Sequence, residues 1–541
     1  MRYSIRGPRR GPALMAAAVA LVTVTACSNN SSSGPPPTGT GPAPATGAPS
    51  TAAPPSPTPT PTPTRTYPLS TAPRVIPAVG RFEAARGPGW KPGPSAGVVV
   101  AAKDEAALAD EARLIAGELN VPYRGTAAAR AGDVSLALGG SGSAESYTLA
   151  VQNGGVRITG PGESGVFYGT RTLKQSVRST GAIPEGTVTD TPAKPQRGLM
   201  VDIARKYFSA AWIEARLREM ADLKLNQLGL HFSDDQGFRI ASGSHPEIVS
   251  ARHLSKAEVR RIVALANSLH IQVVPEIDSP GHLGAVIAAH PDLQLVSAGG
   301  RTPRGAVDIS KPASAKIVDE LLREYMELFP GSYWHLGGDE YVALMSSDPE
   351  ATYPQLARAA VARFGSGARV KDLTTGWLND RAATVRPSGR ALRAWNDGFF
   401  TGGIVPAAKD LTVAYWTGKE IGARTPSSYL SEGRTMLNYN DEYLYYVLGQ
   451  PNTFVYPTGR RIYEEWTPLV LRGTTPVAAR YDGQILGGSF AVWCDLATSQ
   501  TEAQVADGIR MPLAATAQKL WDARKPTASW AEFQGLAVRV R

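Results

Sequence analysis

The chain has 541 residues and a formal net charge of +9, enough length for two or three domains with sizeable cores. Four of the arginines lie in residues 1–26, which contain no acid, and the rest of the excess is spread without a basic run or a basic helix. Nucleic acid is therefore excluded from the expected partners.

At the N-terminus Arg2, Arg6, Arg9 and Arg10 precede an apolar run from Ala13 to Val24, which ends in Val24-Thr25-Ala26-Cys27. A basic segment, a short apolar run and small residues make an export signal too short to span a bilayer. A cysteine directly after small residues resembles a bacterial lipobox. Residues 1–26 are thus expected to be removed and Cys27 acylated, so that a lipid anchor at Cys27 is the only tie to the membrane. A plain signal cut nearby is the alternative, and the residues around Arg9-Arg10 fit a twin-arginine signal poorly. The expected location is the outer face of the cell membrane, or the medium.

Residues 27–74 are expected to be a disordered tether. From Ser28 to Thr66 the chain uses only Ser, Asn, Gly, Pro, Thr, Ala and one Arg, which have nothing to bury. The Pro-Thr repeat from Ser56 to Pro63 favours extended polyproline geometry, which at ~3.1 Å per residue reaches on the order of 100 Å. With Cys27 acylated, Cys494 has no partner, and no intrachain disulfide is expected.

Residues 75–192 read as a small α/β domain of the α+β sandwich kind. Gly97–Ala101 and Val134–Leu138 are predicted strands, with a helix from Asp104 to Leu119 between them. Tyr147–Val151 and Gly155–Thr159 form a predicted hairpin, and a helix opens at Ser164. No ionisable group there suggests chemistry, and the domain reads as a support.

Residues 193–541 alternate strands and helices. Eight apolar segments are predicted strands: Gly198–Ala204, Gln227–Phe232, Gln272–Ile277, Tyr333–Leu336, Leu392–Trp395, Thr412–Trp416, Met436–Tyr439 and Ser489–Trp493. The strongest predicted helices are Ala210–Leu223, Ser255–Leu269, Ala313–Leu328 and Glu502–Trp521. The fold class is α/β, a (β/α)₈ TIM barrel, whose chemistry belongs at the C-terminal strand ends.

Those ends carry Arg205, Asp234-Asp235, Asp278 with His282, Asp339-Glu340, Trp395-Asn396-Asp397, Trp416, Tyr439 with Asp441, and Trp493 with Asp495. Eight polar, acidic or aromatic ends point to one lined pocket. Tryptophan faces stack on pyranose rings, while carboxylates and Arg pair with hydroxyls, so a sugar is the expected ligand, held without metal or cofactor. Asp339 and Glu340 follow Gly337-Gly338, which are expected to let a ligand approach the backbone. Of two such carboxyls, the more desolvated one is expected to stay protonated as a general acid.

Four motifs then carry a resemblance. Asp202–Phe208, His231–Arg239, Pro275–His282 and His335–Glu340 resemble signatures of the family 20 glycoside hydrolases, the β-N-acetylhexosaminidases, in the right order over roughly residues 75–541. The resemblance implies retaining hydrolysis of terminal β-linked GlcNAc or GalNAc from an oligosaccharide or glycoconjugate. Glu340 would be the general acid and then the base. Asp339 would orient the substrate's 2-acetamido group, whose carbonyl oxygen attacks the anomeric carbon to give an oxazolinium. Tyr439 would bond the acetamido carbonyl, and Trp395, Trp416 and Trp493 would wall the pocket. Arg205 would hold the hydroxyls at C3 and C4, with Asp441 and Asp495 at C4 and C6. Asp234, Asp278 and His282 would support Glu340.

Trp493-Cys494-Asp495 departs from the family's usual Trp-x-Glu and resembles the disaccharide-releasing lacto-N-biosidases. Release of a disaccharide by the same mechanism is therefore an alternative, and so is a glycan-binding lipoprotein without turnover. Metal-dependent hydrolysis is disfavoured, because Arg205 stands where such barrels place a His-x-His pair.

Overall fold

Strands buried on both faces are what a parallel barrel requires, since helices cover its outside and side chains fill its inside. Gln196–Asp202 and Met436–Asn438 are buried at every position, and Ile485–Trp493 at all but one. The computed structural model describes residues 66–541 apart from 420–422 and 452. The expected export signal, Cys27 and the tether up to residue 65 lie outside the described residues.

Gln196–Asp202, Gln227–His231, Gln272–Glu276, Tyr333–His335, Ala391–Trp395, Thr412–Tyr415 and Met436–Asn438 pair in parallel, each with the next. Ile485–Trp493 closes the circle by pairing with both Met436–Asn438 and Gln196–Asp202. Each observed strand overlaps its predicted segment. The last begins four residues earlier than expected, through Gly487 and Gly488. Gly487 has φ 148°, and a Cβ there would overlap the Gln196 backbone, so only glycine permits the close approach at the seam.

Helices Ala210–Asp222, Lys256–Ser268, Pro312–Leu328 and Glu502–Trp521 match the expected ones. Their starts are set by side-chain caps. Ser209 accepts from the Trp212 amide, and Ser255 with Glu258 and Thr501 with Gln504 form capping boxes. None of the described helices is long and apolar enough to cross a membrane.

Two departures shape the mouth. After Ala391–Trp395 the chain makes only a 3₁₀ turn at Asn396–Gly398. After Met436–Asn438 a further strand, Tyr445–Val447, lies parallel to the C-terminal end of Ile485–Trp493, with Tyr445 opposite Ala491 and Val447 opposite Trp493. This extra strand carries aromatic side chains onto the rim.

The N-terminal part is a six-stranded mixed sheet in the order Arg81–Ala84, Gly186–Asp190, Tyr147–Gln152, Gly155–Gly160, Val134–Leu138, Val98–Val100. Helices Glu105–Leu119 and Glu163–Thr180 pack on it. The first and last of its strands in chain order were not among the predicted elements, because Arg81–Ala84 is largely exposed and shows no apolar run. Polar contacts fasten this sheet to the barrel. Arg197 bonds Glu145, and Lys174 bridges Glu118 and Asp222. Buried Lys224 meets Asp190 and Tyr147. No carboxylate of the barrel mouth takes part, in keeping with a supporting role.

Candidate active site

The C-terminal mouth of the barrel holds a cavity of about 240 Å³. Arg205, His282, Asp339, Glu340, Trp416, Asp441, Trp493 and Asp495 line it, as the strand-end reading expects. Thr417, Lys419, Val447 and Phe454, which no strand-end pattern marks, line it as well, and so does Tyr445 from the aromatic run Tyr439 to Tyr446. Asp234, Asp278, Trp395 and Tyr439 are absent from the cavity wall and lie behind it.

Charge in the site is organised in a chain of contacts from strand end to strand end. Arg205 reaches Asp202 at 3.1 Å and Asp234 at 2.9 Å, and its guanidinium carbon is 5.2 Å from the centre of the Trp493 ring. Burial opposes its charge, but Asp202, Asp234 and Asp495 hold the guanidinium firmly protonated. Asp234 meets His231 Nε2 at 2.8 Å and His282 Nδ1 at 3.3 Å. Although burial alone would raise it, the charge on His282 and the bonds from His231 hold its carboxyl well below the usual range. His231 also lies 3.2 Å from Glu276, and these two acids raise it to about 10 against burial. Glu276 accepts from the Trp395 indole at 2.7 Å, and its neighbours hold it at about 2 in spite of burial.

Nearest the reaction centre the order of acidities differs from expectation. His282 Nε2 stands 3.6 Å from Asp339 and 3.5 Å from Glu340. Asp278 accepts from the Gly338 amide at 2.8 Å. Asp278 and Asp339 are within hydrogen-bond reach of each other, a contact that requires one of the two to carry a proton. Burial pushes Asp278 up to about 7, and burial with the neighbouring Asp278 charge pushes Asp339 well above the usual carboxylate range. Glu340, with 42% of its side chain exposed, is instead pulled down by its hydrogen bond to His282. The more desolvated carboxyl of the pair is thus Asp339, while the one facing the cavity is ionised before substrate arrives.

Two further readings are corrected by geometry. Gly337 has φ 66° and a Cβ there would overlap the Asp278 carboxylate, so the space left by this glycine is filled by Asp278, with no room for a ligand. Tyr439 is 3% exposed and packs on Trp395 with ring centres 4.9 Å apart, beneath the floor. The tyrosine on the wall is Tyr445, stacked on Trp416 at 5.8 Å with an interplanar angle of 4° and 5.9 Å from Trp493. The aromatic run from Tyr439 to Tyr446 was visible in the sequence, but only the extra strand decides which ring faces in.

Asp397 also acts in the site. One of its oxygens accepts from the Glu340 amide at 2.9 Å and the other from the Trp416 indole at 3.0 Å. Asp441 is taken by Lys419 at 2.8 Å. Cys494 is fully buried, with its thiol pushed well up by burial, and its amide donates to Asp202 at 3.0 Å. It is a small filler that fixes the base of Asp495. Donor atoms of His231, Glu276 and Asp278, and of Asp278, His282 and Asp339, lie close enough to share a metal ion. In the first group one atom of each residue is engaged, His231 Nε2 by Asp234, Glu276 Oε1 by Trp395 and Asp278 Oδ1 by Gly338, and the charge of Arg205 beside Asp234 opposes a further cation. The donor set therefore fits a protonated histidine better than a metal.

A parallel barrel whose mouth joins a histidine–carboxylate network to a tryptophan-walled cavity defines the class of (β/α)₈-barrel glycoside hydrolases. Residues 195–524 match the glycosyl hydrolase family 20 catalytic domain and residues 72–191 match domain 2 of the same family. The chain belongs to glycosyl hydrolase family 20.

Among relatives, a lacto-N-biosidase of Bifidobacterium bifidum is 30% identical over 86% of this chain and 41% of that protein. A beta-N-acetylhexosaminidase of Cellulomonas fimi is 30% identical over 47% of this chain and 53% of the relative. The chain spans about two fifths of the length of the first curated relatives it matches. The beta-N-acetylhexosaminidase structure from Streptomyces coelicolor superposes with a TM-score of 0.68 at 23% identity, over 87% of this chain and 96% of that one. A Vibrio harveyi exo beta-N-acetylglucosaminidase in complex with N-acetylglucosamine gives 0.70 at 19% identity, over 87% and 77%. These two likenesses establish the shared fold.

Proposed function

We propose that the chain hydrolyses terminal β-linked N-acetylhexosamine from glycans, with retention and with the substrate's own acetamido group as nucleophile. The observation that carries this reading is the pairing of half-exposed Glu340 with buried Asp339 on one cavity wall. Glu340 faces the position of a glycosidic oxygen, and Asp339 offers a desolvated carboxyl to an acetamido N–H. The other acids on the wall are engaged or shadowed, Asp441 by Lys419 and Asp495 by the charge of Arg205. Neither is placed as a covalent nucleophile. A neutral sugar covering Glu340 removes water from it and raises its pKa, which converts it from the ionised form of the free protein to the acid the first step needs.

Tyr445 takes the place expected of Tyr439 in this scheme and bonds the acetamido carbonyl. Trp416 and Trp493 hold the ring, and Arg205 binds hydroxyls while its own charge is fixed by Asp202 and Asp234. Incubation with an aryl N-acetyl-β-D-glucosaminide, with Glu340→Gln as control, tests the reading. Release by the unmodified protein alone supports it, and glycan binding without release by a folded protein would leave only a binding role.

Release of a disaccharide is the second reading. It rests on Asp495, shorter than glutamate by one methylene on the wall beside Arg205, and on the likeness to the Bifidobacterium bifidum lacto-N-biosidase over most of this chain. An aryl β-glycoside of galactosyl-β-1,3-GlcNAc, assayed beside the monosaccharide substrate, separates the two. Export and acylation at Cys27 are proposed from the lipobox-like residues alone. Mass measurement of the mature N-terminus, with Cys27→Ala for comparison, tests them.

A further inference from the structure

Away from the cavity, His245, Glu247 and His290 bring one donor atom each within 4.8 Å of one another. A single oxygen, Glu247 Oε1, lies 3.0 Å from His245 Nδ1 and 2.9 Å from His290 Nε2. The second nitrogen of His245 lies 3.1 Å from Glu320. A neutral imidazole has one N–H, so it can donate to Glu247 or to Glu320 but not to both. The other contact then sets a nitrogen lone pair against a carboxylate. Either a second proton or a cation at Nδ1 removes that conflict.

The cation fits the geometry. Metal-bound histidines characteristically donate their remote N–H to a carboxylate, which is the relation of His245 Nε2 to Glu320. Bonds of about 2.0–2.1 Å at the tetrahedral angle put ligand atoms about 3.3 Å apart, so each observed contact need open by only a few tenths of an ångström. Two imidazoles and a carboxylate, with an open position for water, suit a borderline ion of the zinc class better than calcium or magnesium.

The ligands are also held in advance. His245 and His290 share nearly the same backbone, φ −136° ψ 65° and φ −126° ψ 68°, and each precedes a proline that restricts it. The His245 amide donates to Ser242, and Glu324 ties down Ser242 and Gly243 from the same helix that carries Glu320.

We infer that His245, Glu247 and His290 form a surface site for a divalent transition metal of the zinc class, with Glu320 fixing the His245 ring. The site would join two loops of the mouth. His290 ends the short helix Gly284–Ala289, which starts two residues after His282, and His245 begins the turn Pro246–Ile248. Bound metal clamps the loop that carries His282 to its neighbour. The inference does not depend on the hydrolytic reading.

The test uses the full chain, stripped with a chelator and titrated with zinc alone, read by elemental analysis, calorimetry and melting temperature. One zinc per chain is expected, with a rise in melting temperature. His245→Ala with His290→Ala should abolish both effects, while Asp278→Asn, which alters both of the other possible donor groups, should retain them. Glu320→Gln keeps the ligands and should weaken binding about 10–100-fold, which guards against loss by misfolding. Cobalt should give tetrahedral absorption bands that vanish in the double variant. Zinc bound weakly and equally by all variants, zinc lost only from Asp278→Asn, or no zinc bound, overturns the proposal.

Discussion

The backbone amide of Glu340 donates to Asp397 at 2.9 Å from a residue whose φ is 48°. A non-glycine residue in the left-handed region persists only where its surroundings hold it there. Here the holding group is a carboxylate whose other oxygen carries the indole of Trp416, so one side chain fixes the proposed acid and one wall of the sugar site together.

Asp397→Ala should therefore release both without removing either. A displacement of about 1 Å at the acid costs on the order of 10²-fold in turnover. We expect kcat to fall by about that factor with the fold intact, and Asp397→Asn to recover part of it. An unchanged kcat in the alanine variant would show that Glu340 is positioned by other contacts.

Glu340→Gln keeps the shape and removes the proton. Loss of general acid–base catalysis should lower kcat by roughly 10²–10⁴-fold, with far smaller change in KM. Substrates with activated aryl leaving groups should suffer less in the first step than natural glycosides, and comparing the two classes checks the role.

Tyr445→Phe and Tyr439→Phe separate the two tyrosines. Loss of a hydrogen bond made to the attacking acetamido group should reduce kcat/KM about 10-fold or more at Tyr445, since roughly 1.4 kcal/mol of transition-state binding is tenfold in rate. Tyr439 is beneath the floor, and its variant should change stability more than turnover. The reverse pattern would return the acetamido contact to Tyr439.

The Asp278–Asp339 pair gives a signature in stability. Asp278 has its pKa raised to about 7 by burial, so between pH ~4, where an unfolded aspartate titrates, and pH ~7 the folded state holds the extra proton. Its contribution is fully present below the unfolded pKa and is lost as pH rises through that window. Asp278→Asn still accepts from Gly338 and donates permanently to Asp339, so its melting temperature should fall less between pH 4 and 7 than that of the unmodified protein. Parallel curves for the two would show that no proton is shared.

Gly337→Ala should be the most damaging small substitution at the mouth. It needs a positive φ at a residue with a Cβ and pushes that Cβ into the Asp278 carboxylate. We expect a loss of about 1–3 kcal/mol from the backbone strain alone, with turnover abolished, measurable by denaturant unfolding and assay.

The barrel was legible in the sequence because its strands are short apolar runs buried on both sides, and its helices begin at Ser209, Ser255 and Thr501 with local caps. Those signals are carried by neighbours in sequence. The strand-end rule likewise brought Arg205, His282, Asp339, Glu340, Trp416, Trp493 and Asp495 to one cavity, because parallel strands point all their C-termini the same way. It did not separate wall from floor. Tyr439 and Tyr445 both belong to one aromatic run, and the side each faces depends on a strand pairing between Tyr445–Val447 and Ile485–Trp493 that no local pattern announces.

What the sequence determined by itself is the order of elements and the residue types at each strand end. What only tertiary structure decided is which of those groups share protons. Acidity depends on burial and on charges within a few ångströms, and residues 60 positions apart, such as Asp278 and Gly338, become neighbours only when the barrel closes. Adjacent Asp339 and Glu340 therefore look alike in the chain, yet they differ in the folded protein because one is pressed against Asp278 and the other faces water and His282.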